Sequence, residues 1–122
     1  MIIDQRKKIK INNKLYNIVV DTYPNNRIWL KYKNKNEEHD LTINLEDAFI
    51  DASHVFLDPV VKTNGILKEL KKKRIIREIC GVLNYQYVDI PIAILNMGIL
   101  RKYDNAGVNH HLLQVSGGDV YN

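Results

Sequence analysis

The run Tyr16-Asn17-Ile18-Val19-Val20-Asp21, then Tyr23-Pro24-Asn25-Asn26, then Arg27-Ile28-Trp29-Leu30-Lys31-Tyr32-Lys33 decides the fold. Tyr16, Ile18 and Val20 alternate with Asn17, Val19 and Asp21; Ile28, Leu30 and Tyr32 alternate with Arg27, Trp29, Lys31 and Lys33. A period of two places one set of side chains on a core and the other toward water, so each run reads as a half-buried strand. Between them Pro24 fixes its φ while Asn25 and Asn26 tolerate left-handed geometry, which makes the link a tight turn. Upstream, Ile9 and Ile11 alternate with Lys8 and Lys10 before Asn12-Asn13. Downstream, a polar loop from Asn34 to Asp40 leads to Leu41, Ile43 and Leu45 alternating with Thr42, Asn44 and Glu46. Four strands on short polar connections predict an antiparallel meander.

The second half mixes elements. His54 to Leu57 reads as a strand stopped by Asp58-Pro59. A helix follows within Pro59 to Arg74: Asp58 is a good N-cap and Pro59 suits the first helical position, although Gly65 moves the alternative start to Thr63 or Asn64. Ile66, Leu67 and Leu70 form its apolar stripe. From Ile75 to Leu95 the strand pattern returns, with Gly81 and Asn84 marking a turn or bulge, Tyr85 to Leu95 reading as one long strand, and Pro91 confining part of it to an edge or bulge. Asn96 is placed to cap a short helix, Met97 to Tyr103, and the glycine-bearing stretch 104–122 reads as irregular. The expectation is an α+β fold: an antiparallel β-meander sheet of about five to seven strands with two short helices in the second half.

The 122 residues suit one domain, and 45% apolar with 26% charged residues is an ordinary globular composition. No apolar run approaches the ~18 residues that span a bilayer. Charges at Asp4, Arg6, Lys7 and Lys8 fall where a secretory signal needs an apolar core, which points to the cytoplasm. Asn (14), Lys (13) and Ile (16), all with A/T-rich codons, suggest an AT-rich bacterium or its phage as source. The net charge of +4 divides into +5 between Lys68 and Arg77 and −1 over the rest, which favours a compact anion or an acidic protein patch over nucleic acid, or simply a solvated helix end.

Catalytic signatures are missing. The six glycines form no phosphate-binding loop, and Ser53 and Ser116 lie in no nucleophile elbow. His39, His54, His110 and His111 have no metal-ligand spacing, so no metal and no cofactor are expected. Cys80, the only cysteine, sits between apolar neighbours and reads as a buried thiol. Glu46, Asp47 and Asp51 read as loop and strand-end solvation. What stands out is recognition chemistry. Trp29 falls on the polar face of its strand, where it stacks on a base, anchors a partner, or is core beneath a helix or second subunit. In Asn84-Tyr85-Gln86-Tyr87 the two tyrosines share a strand face close in sequence to Arg74 and Arg77, giving either a nucleotide site or a dimer interface.

Four stretches carry a family resemblance: Tyr16 to Asn26, Leu41 to Leu45, Val55 to Asp58 with Asn64-Gly65, and Tyr85 to Asn96. On these the chain resembles small phage and mobile-element proteins of AT-rich bacteria, and in size and β-then-helix layout the Thoeris anti-defence sponges. The resemblance implies a homo-oligomer that sequesters a cyclic ADP-ribose signal made by TIR-domain enzymes without cleaving it. It also implies an aromatic stacking residue, arginines for the pyrophosphate and a recessed pocket near a subunit interface. The residues whose chemistry suits such a ligand are Trp29, Tyr85 or Tyr87 for stacking, Arg74, Arg77 or Arg101 for phosphate, and Asn84 or Asn96 for polar edges. The alternatives are a protein–protein inhibitor of a defence enzyme such as a CRISPR nuclease, and a weak nucleic-acid-binding accessory protein.

Overall fold

The asparagine pairs do what their chemistry allows. In the computed structural model, which describes residues 6–120, Asn12 and Asn13 both take positive φ (51° and 65°) and join β1 (Lys8–Ile11) to β2 (Lys14–Thr22). A two-residue turn with both φ positive matches the natural strand twist. Asn26 (φ 69°) closes the next turn, its N–H donating to Tyr23 O at 2.8 Å, and β3 (Ile28–Lys33) returns beside β2. Two short strands follow, β4 (Glu38–Asp40) on β3 and β5 (Thr42–Ile43) on β6 (His54–Leu57). Leu41 between them donates its N–H to Leu30 O (2.8 Å) and accepts from Asp58 N (3.0 Å). One residue thus hands the chain from the first sheet to the second.

A 3₁₀ turn (Pro59–Lys62) capped by Asp58 precedes α1 (Ile66–Lys72), with Gly65 at φ 77° between them. The long hairpin β7 (Ile76–Tyr85) and β8 (Val88–Leu95) completes the second sheet, and α2 (Met97–Val120) ends the chain, broken at Asp104 (φ −155°, ψ 78°). The eight antiparallel strands form two sheets ordered β1-β2-β3-β4 and β5-β6-β8-β7, and α1 packs on both β1 and β7. Ile9, Ile18, Leu30, Leu57, Ala93 and Leu95 from the inner faces meet Leu70 of α1 and Leu100 and Val108 of α2 in one core. The α+β class and the meander hold. No helix among the described residues is long and apolar enough to cross a membrane.

Several expectations change. The loop read from Asn34 to Asp40 ends in strand β4, and only Thr42–Ile43 of the Leu41–Leu45 run pairs. Tyr85 closes β7 and does not open a long strand to Leu95; Gln86 and Tyr87, both at positive φ (50° and 68°), make the turn. Gly81 does lie at a bulge, between Ile79 and Gly81. The bulge leaves Cys80 without a β8 partner and turns it outward, so the thiol expected to be buried is exposed, 3.5 Å from Ile92 O. Pro91 sits in a central strand, one residue beyond the last β6 pair (Phe56↔Ile92), where β8 is paired on one side only. A proline lacks a ladder donor and is tolerated at such a place.

Of the stretch read as irregular, residues 105–120 are helical, and residues 121–122 lie outside the described ones. β1 pairs only with Lys14–Asn17, which leaves the later part of that edge of β2 bare. α2 covers it. Asp104 leaves the helix to accept Val20 N–H on Oδ2 (2.9 Å) and caps the restarted helix by accepting Gly107 N–H on Oδ1 (3.0 Å). Gly107 lies so close that a Cβ there would sit 2.4 Å from Val20 O. Val108 and His111, one turn apart, carry the buried stripe onward.

Candidate functional site

The docking of α2 against β2 creates a hollow at the β2–β3 turn. Its walls come from the β2–β3 turn (Asn25, Asn26), the head of β3 (Arg27, Ile28), the loop 50–53, His54, Met97 and the α2 residues His111, Leu112 and Val115. The cavity measures about 310 Å³, at the lower end of the ~300–1,000 Å³ typical of small-molecule sites.

The loop over this cavity is held by Arg27. Its guanidinium donates from Nη1 to Leu45 O (2.7 Å) and from Nη2 to Ala48 O (2.5 Å), while its Cζ lies 5.9 Å from the Phe56 ring centre. Two reciprocal amide bonds between Asn25 and Asn44 (3.1 and 3.3 Å) pin the same loop to the turn. Behind it, His54 N–H donates to Asp51 O (3.2 Å) with Ser53 at φ 63°. The lip is therefore held by side-chain hydrogen bonds from Arg27 and between Asn25 and Asn44 together with one backbone bond, which position a segment without regular structure.

Two imidazoles face the hollow. His54 Nδ1 lies 2.9 Å from Ala52 O, and because a carbonyl only accepts, Nδ1 is the donor and Nε2 makes no contact with the scaffold. His111 is buried, its Nδ1 2.7 Å from Thr22 Oγ1, and burial pushes its pKa below the ordinary imidazole value. A neutral ring at pH 7 follows. Each histidine thus spends one nitrogen on the scaffold and keeps Nε2 for a ligand. Ile28, Ile50, Met97, Leu112 and Val115 add apolar surface to the same walls. Ser53, Asp51 and the imidazoles make no hydrogen bond with one another, and no group of three potential metal-ligating side chains occurs among the described residues.

The eight residues expected at a ligand site do not converge there. Trp29 is occupied: Tyr23 stacks on it at 4.8 Å and 7°, Lys31 Nζ sits 4.0 Å from its ring centre, and its Nε1 donates to Asp40 at 2.9 Å. Ring and ammonium at those distances cannot share one face, so both faces are covered. Arg74 ends the turn after α1 at φ 63°, and Arg77 is exposed at the start of β7. Tyr85 lies at the far end of that strand, eight residues or about 26 Å away at ~3.3 Å per residue. There its hydroxyl approaches Asp47 (3.4 Å), Asn84 bonds Asp89 across the hairpin (3.0 Å), and Tyr87, fully exposed in the turn, shares no strand face with Tyr85. Asn96 caps α2 by accepting Ile99 N–H (3.1 Å), and Arg101 donates to Asn105 (3.3 Å) and Asn109.

The residues that do converge depend on the C-terminal helix, which the sequence pattern does not announce. Had residues 105–116 been read as a helix, the spacing Val108, His111, Val115 would have put His111 on its buried face. His54 and Arg27 carry no comparable local signal. The charge division also needs correcting. Residues 6–35 hold nine Lys and Arg against Asp21 alone, while residues 36–61 hold seven acids and no Lys or Arg. The basicity is therefore not confined to Lys68–Arg77. Comparison with known proteins adds nothing to this geometry: no family model, no curated protein and no solved structure matches the chain.

Proposed function

We propose that this protein is a small-molecule capture protein whose ligand seats a flat heterocycle in the His54–His111 cavity. The observation that carries the reading is a cavity lined by apolar side chains together with two imidazoles, each anchored through Nδ1 with no protein partner on Nε2. An imidazole nitrogen can accept or donate a hydrogen bond, which suits the mixed donor and acceptor edge of a nucleobase or a nicotinamide. Combined with the sequence resemblance, the reading is sequestration of a nucleotide-derived immune signal of the cyclic ADP-ribose type, without cleavage.

Capture that silences a signal needs nanomolar affinity, about −12 kcal/mol. Calorimetry with cyclic ADP-ribose isomers is the test. Stoichiometric heat with the wild type, lost in Leu112→Trp, and recovery of intact ligand after heating are expected. No heat with any isomer removes the nucleotide-signal reading.

A second reading, inhibition by contact with a protein, is favoured by the β7–β8 hairpin. Tyr87 is wholly exposed at its tip, with Val88, the first residue of β8, exposed next to it. Aromatic side chains presented on a turn are frequent anchors of protein interfaces. Stoichiometric co-purification of a host protein, abolished by Tyr87→Ser, is the outcome that this reading requires.

A further inference from the structure

The outer face of the first sheet, remote from the histidine cavity, carries a second hollow of about 420 Å³ lined by Lys8, Leu15, Asn17, Lys33, Asn34 and Lys35. The strand register explains the convergence. Lys8 pairs with Asn17, and Asn17 pairs with Lys33, so the two lysines flank one amide in a row across β1, β2 and β3. Residues paired across strands share a sheet face. Lys35 is brought to the same row by the tight turn at Asn34, whose Oδ1 accepts both Asn36 N–H (2.9 Å) and Glu37 N–H (3.0 Å).

The polar side chains that line this hollow offer donors. Asn34 Oδ1 is consumed by the turn, which leaves its Nδ2. Asn17 Oδ1 is buried with no partner, so the accessible part of that amide is again Nδ2. Lys8, Lys33 and Lys35 take part in no ion pair among the described residues. The neighbouring acids are engaged elsewhere: Glu37 with Tyr16, His39 and Lys14, Asp21 with Lys31, and Asp40 with Trp29. Glu38, opposite Lys33 in the register, is the one nearby carboxylate left, and it forms no ion pair with that lysine. Three like charges beside two amide donors repel one another in the empty site and are relieved by an anion with several acceptor oxygens.

We propose that this hollow binds a phosphate group, carried either by a phosphorylated small molecule or by a nucleic-acid backbone. It is independent of the histidine cavity. Ile28, which lines that cavity, and Lys33 are five residues apart on β3, about 17 Å along an extended strand. The charge balance of the chain disfavoured nucleic acid; the register shows a local concentration of cations that the balance conceals.

The test uses the full chain, with pyrophosphate and a 12-nucleotide single-stranded oligonucleotide as probes. In amide-detected NMR, pyrophosphate is expected to move the side-chain NH₂ signals of Asn17 and Asn34. K8Q/K33Q is expected to weaken pyrophosphate binding at least about tenfold, since ammonium–phosphate contacts are charge-assisted even at a half-open site. K71Q/K72Q, an equal loss of charge on α1, is expected to change it less than twofold. A backbone ligand is indicated if the oligonucleotide binds more tightly than pyrophosphate and its log–log salt slope falls by about 1.4 in K8Q/K33Q, ~0.7 per lost phosphate contact. A phosphorylated small molecule is indicated if pyrophosphate binds at least as tightly. The site is refuted if neither probe moves the Asn17 and Asn34 signals, or if K71Q/K72Q weakens binding as much as K8Q/K33Q.

Discussion

Gly107→Ala should destabilise this protein although it lies in a helix, where the same change ordinarily helps. In an open helix Ala is favoured over Gly by about 1 kcal/mol. Here the new Cβ would meet Asp104 Oδ2 at 2.3 Å and Val20 O at 2.4 Å, both well inside van der Waals contact. Neither neighbour can yield: one is strand backbone, and the other is a carboxylate held by Val20 N–H and Gly107 N–H. The helix must retreat by about 1 Å, stretching the charged hydrogen bond from Val20 to Asp104, a class of bond contributing ~1.5–3 kcal/mol. Val108, fully buried one residue on, loses packing as well. A net loss of about 3 kcal/mol follows after the helix gain is subtracted, which for a domain of this size lowers Tm by roughly 12 °C. Differential scanning calorimetry of G107A beside G98A is the assay, because a Cβ at Gly98 meets nothing closer than Asn96 Oδ1 at 3.4 Å. G98A should be neutral or slightly stabilising. If G107A is as stable as the wild type, α2 does not lie against the bare edge of β2, and the cavity walls contributed by His111 and Leu112 fall with it.

Three further outcomes follow from turn geometry and buried or bonded titratable groups. Replacing Gln86-Tyr87 by Asn-Gly relieves two positive-φ residues in the hairpin turn, so Q86N/Y87G should raise stability by about 1 kcal/mol in urea unfolding; a destabilised variant would contradict the turn. Glu37, receiving a hydrogen bond from Tyr16 and others from His39 and Lys14, has its pKa lowered to about 2. Its contribution is complete above the unfolded value near 4.5 and is lost as pH falls toward 2, so Y16F should move the Glu37 NMR midpoint upward, and an unmoved midpoint would contradict the contact. His111 is held neutral by burial, so the unfolded chain binds the extra proton first and stability should fall as pH drops below about 6.5. H111L should abolish that slope in pH-dependent melting; a slope that survives would place the titrating group elsewhere.

The parts of the fold that were legible are those where local chemistry and tertiary environment agree. Ile9, Ile18, Leu30 and their alternating partners need only one buried face, and Asp58-Pro59 stops β6 and caps the following turn by local means. Where a contact is long-range, the pattern is silent. Leu41 reads as one more strand residue, yet its N–H and C=O serve different sheets, a division fixed by Leu30 and Asp58 and not by its neighbours. Gln86-Tyr87 makes a turn without turn residues because the β7–β8 ladder fixes the strand ends, and Gly81, with the stronger turn chemistry, becomes a bulge.

The candidate site shares this cause. Asp104 and Gly107 make the C-terminal stretch look irregular, since one competes with the helix for hydrogen bonds and the other is a poor helix former. Those same two residues allow the helix to restart and to approach Val20 without a Cβ in the way. What weakens the helical signal in the sequence is therefore what permits the docking, and the docking brings His111 to the hollow that His54 already lines. A reading that loses the tail to its glycine and its aspartate must lose the cavity as well. The recognition chemistry then has to be sought among exposed aromatics and arginines, which the fold has distributed to separate surfaces.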